Sequence, residues 1–180
     1  TAVNHGAVRP FPFGRMGMPA SANSGDVDQH HGGIDLSFRH EAGGRRLAFA
    51  APGFDRGKGL SGEIALAQPD EDRMAIATPF PDAPRAFYYN QKLNCLPASG
   101  HAQLGSQRIE FTPDRAFAVL DWGRGVWTWD NTWYWGSASG LHQGRRFGFN
   151  IGYGFGDTSA ASENLLFLDG NAHKLAELRA

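Results

Sequence analysis

The chain has 180 residues, 41% of them hydrophobic, and its 17 Lys plus Arg nearly balance its 18 Asp plus Glu. That apolar content excludes a disordered chain and is enough for a real core. A formal net charge of −1 leaves no global field to recruit nucleic acid or an anionic membrane. No apolar run approaches the roughly twenty residues of a membrane-spanning helix.

Residues 1–33 read as an irregular segment, in which Pro10, Pro12 and Pro19 forbid a continuous helix or a central strand. From Ile34 the pattern changes, and residues 34–180 read as one antiparallel β domain. Ile34, Leu36 and Phe38 alternate with Asp35, Ser37 and Arg39, the signature of a half-buried strand. E-A-G-G turns the chain and R-R-L-A-F-A returns it as a hairpin partner. Further strands are expected at 60–67, 73–78, 85–96, 100–104 and 107–111. Residues 116–121 then lead into an aromatic stretch, followed by strands at 133–141, 145–152, 165–169 and 173–178. Only 160–164 and the last few residues could be helical. Short strands at regular spacing make the fold class all-β, an antiparallel barrel or sandwich. A start at Thr1 rather than Met reads as an excised fragment.

All five tryptophans, Trp122, Trp127, Trp129, Trp133 and Trp135, fall between residues 122 and 135. If 130–132 form a hairpin loop, Trp129 faces Trp133 and Trp127 faces Trp135 on one side of a sheet. Such a ribbon is either core or the wall of a pocket, and each indole can cover about 150–250 Å². Asp121 and Arg124 frame D-W-G-R-G. They form a structural ion pair or, in the functional reading, a general acid beside an anion holder. In F-Y-Y-N-Q-K, alternation puts Tyr88, Asn90 and Lys92 on one face and Tyr89 and Gln91 on the other. Glu163 follows a glycine-rich loop and is a candidate second carboxylate or a turn-capping acid. Gly152, Gly154 and Gly156 lack the spacing and βαβ context of a dinucleotide fingerprint, and close backbone approach explains them better.

The seven histidines form no metal-ligand pattern and read as surface residues, so no metal and no cofactor is expected. The single cysteine, Cys95, reads as a buried inert thiol. Ser137 and Ser139 lack the strained elbow of a serine hydrolase. With no signal peptide recognised, the cytoplasm is the default expectation. No oligomeric state follows from these patterns.

The ordered series F-Y-Y-N-Q-K-L-N-C-L-P-A-S-G, V-L-D-W-G-R-G-V-W, W-Y-W-G-S-A-S-G, G-R-R-F-G-F-N-I-G-Y-G and E-N-L-L-F-L-D-G resembles an uncharacterised bacterial family, the domain of unknown function numbered 2804. The resemblance runs from about residue 34 to the C-terminus. Members of that family are longer at both ends, which implies that this chain is a central portion. More distantly, the D-W-G run is similar to lipocalin-like carotenoid hydratase and AttH-type proteins. That likeness implies a lipocalin-like barrel or sandwich that is a fragment of a longer two-part β fold, with a lumen for apolar or terpenoid molecules and Asp121, Trp122 and Arg124 near the ligand.

The reading that follows is a module binding an apolar or amphipathic small molecule. Trp127, Trp129, Trp133 and Trp135 would line the wall and Arg124 would meet a polar head. One alternative is a hydratase- or cyclase-type enzyme in which Asp121 protonates a polyene and indoles stabilise the cation. Another is a carbohydrate-binding module, with Asp130 and Asn131 taking hydroxyls.

Overall fold

A computed structural model of the chain describes residues 26–176. Those residues form twelve strands and one helical turn, and every pairing between strands for which a register is defined is antiparallel. The all-β class expected from the pattern is therefore what the chain adopts. The described residues divide into two compact units.

The first unit comprises the described residues up to Pro69 together with Pro97–Ala116. It begins with β1 (Val27–His31), β2 (Ile34–Glu41), β3 (Gly44–Ala51) and β4 (Leu60–Ala67), hydrogen-bonded in chain order. Strand β1 falls within the stretch read as irregular. V-D-Q-H-H holds one aliphatic residue, so no alternation betrays it. Its register comes instead from the Gly32-Gly33 turn, with φ of 60° and 76°, which closes a two-residue hairpin and pairs His31 with Ile34. Phe38 of β2 is exposed although its parity matches Ile34 and Leu36. Between β3 and β4 a single turn, α1 (Phe54–Gly57), has left-handed φ at Asp55 and Arg56 and carries an Asp55–Lys58 ion pair of 2.6 Å.

Strand β6 (Phe87–Leu104) is shared. Through Leu96 it belongs to the second unit, and from Pro97 to the first, where it pairs with β4 and with β7 (Gln107–Phe111). The pattern P-A-S-G reads as a break, yet the strand continues. Cys95 has a left-handed φ of 61°, two residues before Pro97, the residue that cannot donate to a ladder.

The second unit is Asp70–Leu96 with the described residues from Phe117 onward. Here β5 (Met74–Pro79) and β8 (Phe117–Val126) pair with β6. A separate four-stranded sheet runs in the order β12 (Asn171–Lys174), β11 (Leu165–Leu168), β10 (Arg145–Tyr153) and β9 (Tyr134–His142). Met74, Cys95, Leu165 and Phe167 form the buried cluster of this unit. Asn94 stitches β6 to the second sheet, its Nδ2 donating to Ser137 Oγ at 2.9 Å and to the carbonyls of Ala138 and Phe149 at 3.1 and 3.0 Å. Ser139 Oγ accepts from the backbone N–H of Cys95 at 2.8 Å, so both serines serve the packing. Cys95 is buried, and burial pushes its thiol up from the ordinary value.

One expectation needs correction. Residues 160–164 are loop and bend rather than helix. The chain end from residue 177, His5 and the three N-terminal prolines lie outside the described residues. No helix among the described residues is long and apolar enough to cross a membrane.

Candidate functional site

The tryptophan stretch is not a continued hairpin. Strand β8 ends at Val126 and β9 starts at Tyr134, so residues 127–133 form a loop and the expected facing of Trp129 on Trp133 and Trp127 on Trp135 does not occur. The loop is shaped by its own polar groups. Thr128 Oγ1 donates to Asn131 Oδ1 at 2.9 Å, and Asn131 Nδ2 donates back to the Thr128 carbonyl. Such local bonds offer the backbone an alternative to a ladder, which is why D-N-T ends the strands.

Four indoles thereby stay in reach of solvent. Trp127, Trp133 and Trp135 are about half exposed and Trp129 fully so, at 100%. All four, with Tyr88, Phe155 and Asn131, line a cavity of about 460 Å³. The cluster is therefore not core. Phe155 is its hub, edge-on to Tyr88 at 4.9 Å, Trp133 at 5.1 Å, Phe80 at 5.4 Å and Trp127 at 6.1 Å. Sequence reasoning missed Phe155, although an aromatic between two glycines in G-Y-G-F-G is a visible signal.

The polar part of the lining is Lys92, Asp121 and Glu163. Lys92 projects from β6 with 3% of its side chain exposed, and its ammonium donates to Asp121 Oδ1. Glu163 Oε2 lies 3.6 Å from the same nitrogen, and the Trp135 ring centroid lies 5.1 Å from it. A buried ammonium persists only when partnered, and here two carboxylates and an indole face do that. A second tier holds these groups in place. Asn150, 0% exposed, accepts from Trp135 Nε1 at 2.9 Å and donates to Glu163 through both the carbonyl and Oε2, at 2.9 and 3.0 Å. Asn164 Oδ1 takes the Gly152 N–H at 2.7 Å, fixing the end of the loop that delivers Glu163.

The glycines around that loop leave room. A Cβ at Gly152 would sit 2.6 Å from Glu163 Oε1, and one at Gly154 (φ 91°) would sit 2.8 Å from the Thr132 carbonyl. Close approach is thus their role.

Of the other sequence candidates, Asn90 is 1% exposed with an unpartnered Oδ1. It borders a small void of about 10 Å³, also bounded by Tyr88, Phe155 and Glu163. Burial raises the Tyr88 phenol above its usual range. Tyr89 and Gln91, of the other parity, bond each other at 2.9 Å. Trp122 packs against Tyr89 at 6.0 Å, and neither Trp122 nor Arg124 is among the residues lining the cavity. Asp130 is exposed in the loop and is likewise outside that lining. Among the described residues no cluster of three or more metal-ligating side chains occurs.

The family described as domain of unknown function (DUF2804) matches residues 1–180, and the chain belongs to it. Neither a curated protein nor a solved structure matches the chain.

Proposed function

With that kinship as premise, we propose that the protein binds an apolar or amphipathic small molecule in the tryptophan-lined cavity of its second unit. The observation that carries this reading is the half-exposed state of the indoles around a space of about 460 Å³. Leaving that much aromatic surface open is costly, and small-molecule sites combine such walls with a few fixed polar groups in volumes of about 300–1,000 Å³. The hydratase- or cyclase-type and carbohydrate readings find less support. Asp121 already accepts from Lys92, so it is engaged as an acceptor rather than poised as a donor, and Asp130 lies outside the lining.

Titration with 1-octanol, read by intrinsic tryptophan emission, tests the binding reading. A saturable change is expected, weakened about tenfold or more in Trp129→Ala. Because Trp129 is fully exposed, the variant should melt within a few degrees of the wild type. A strictly linear, non-saturating response in the wild type would overturn the proposal.

A further inference from the structure

We infer that the polar end of the ligand is a cation, an organic ammonium seated between the indole walls and the carboxylates; this rests on the binding reading above. Two carboxylates, Asp121 and Glu163, face one ammonium, Lys92, so the charged lining carries one negative charge in excess. Three donors of the lining, its cation among them, are engaged internally. Lys92 gives to Asp121, Trp135 Nε1 gives to Asn150, and Asn131 Nδ2 gives to the Thr128 carbonyl.

Acceptors, by contrast, are in surplus. Asp121 keeps 40% of its side chain exposed in the cavity, and Oδ1 is the oxygen that takes Lys92. Glu163 keeps 15% of its side chain exposed there. Aromatic faces add to the same sign, because the ring quadrupole attracts cations and repels anions. Lys92 beside the Trp135 ring shows this cavity already accommodating one ammonium against an indole. A fatty-acid carboxylate would instead meet a lining whose excess charge has its own sign, which works against binding.

Three probes of equal chain length separate the sign of the head group from binding as such: octyltrimethylammonium, 1-octanol and octanoate, each titrated by calorimetry and tryptophan emission. The ammonium is expected to bind at least tenfold tighter than the alcohol, and octanoate more weakly than the alcohol. The ammonium-to-alcohol ratio should shrink severalfold in Glu163→Gln and as salt rises from 0.02 to 0.5 M. Octanoate binding as tightly as the ammonium, or a ratio unmoved by Glu163→Gln and by salt, would overturn the cation assignment while the binding reading stands. Failure of all three probes to bind would remove both.

Discussion

At the scale of single residues, the site depends less on its tryptophans than on one asparagine. Asn150 is wholly buried and joins Trp135 to Glu163, so it sets the angle of an indole and the position of a carboxylate together. Replacing it with leucine keeps the branched outline but leaves the Trp135 N–H without an acceptor and takes one donor from Glu163. Orphaned buried polar groups cost about 1–3 kcal/mol each. Asn150→Leu is therefore expected to lower stability by about 2–4 kcal/mol in urea unfolding and to weaken ligand binding. A variant as stable as the wild type would show that the asparagine is not holding the network. Nothing in N-I-G-Y-G distinguishes this residue from any polar residue in a strand. Its importance comes from Trp135 on the neighbouring strand and from the distant loop that returns Glu163.

At the scale of elements, strands were legible wherever apolar and polar residues alternate between punctuating turns. Expected strands at 60–67 and 107–111 coincide with β4 and β7. The failures have specific causes. Strand β1 has too few apolar residues to show a period, and P-A-S-G imitates a turn within β6 because proline and glycine accompany a bend as readily as a break. The tryptophan hairpin failed because side chains in T-W-D-N-T bond their own backbone. The neighbouring loop offers a direct test of close approach. Gly154 combines a φ of 91° with a Thr132 carbonyl 2.8 Å from where a Cβ would lie. Gly154→Val should cost about 2 kcal/mol or more and displace the tryptophan loop, seen as a shift in emission maximum. An unshifted spectrum with unchanged stability would show that the two loops do not meet there.

At the scale of the whole molecule, burial of titratable groups ties stability to pH. The Cys95 thiol is pushed up from 9.0 and the Tyr88 phenol from 10.0, both chiefly by burial. The unfolded chain loses these protons first, so above about pH 9 it binds fewer protons than the fold does, and stability falls as pH rises. Well below pH 8 neither group contributes a slope. Cys95→Ala should show a smaller fall between pH 9 and 11 than the wild type, measured by the urea midpoint. Equal slopes in the two proteins would exclude the thiol as a contributor. In native wild type, alkylation of Cys95 should track unfolding, because the buried thiol must be released to react.

What the sequence determined by itself was local. Alternation set the β class and most strand positions, and residue type alone concentrated five indoles within fourteen positions. Parity along β6 put Tyr88, Asn90 and Lys92 on one side, because successive side chains of any strand point to opposite faces. Which cation and which carboxylates meet was decided only by the tertiary structure. Lys92, Asp121, Trp135, Asn150 and Glu163 come from four strands and a loop, and the hydrogen bonds among them span up to 29 residues. No period or spacing carries such pairings, since they arise from how sheets close over a shared core. For the same reason, the sequence puts Arg124 beside Asp121, whereas the fold gives that carboxylate to Lys92.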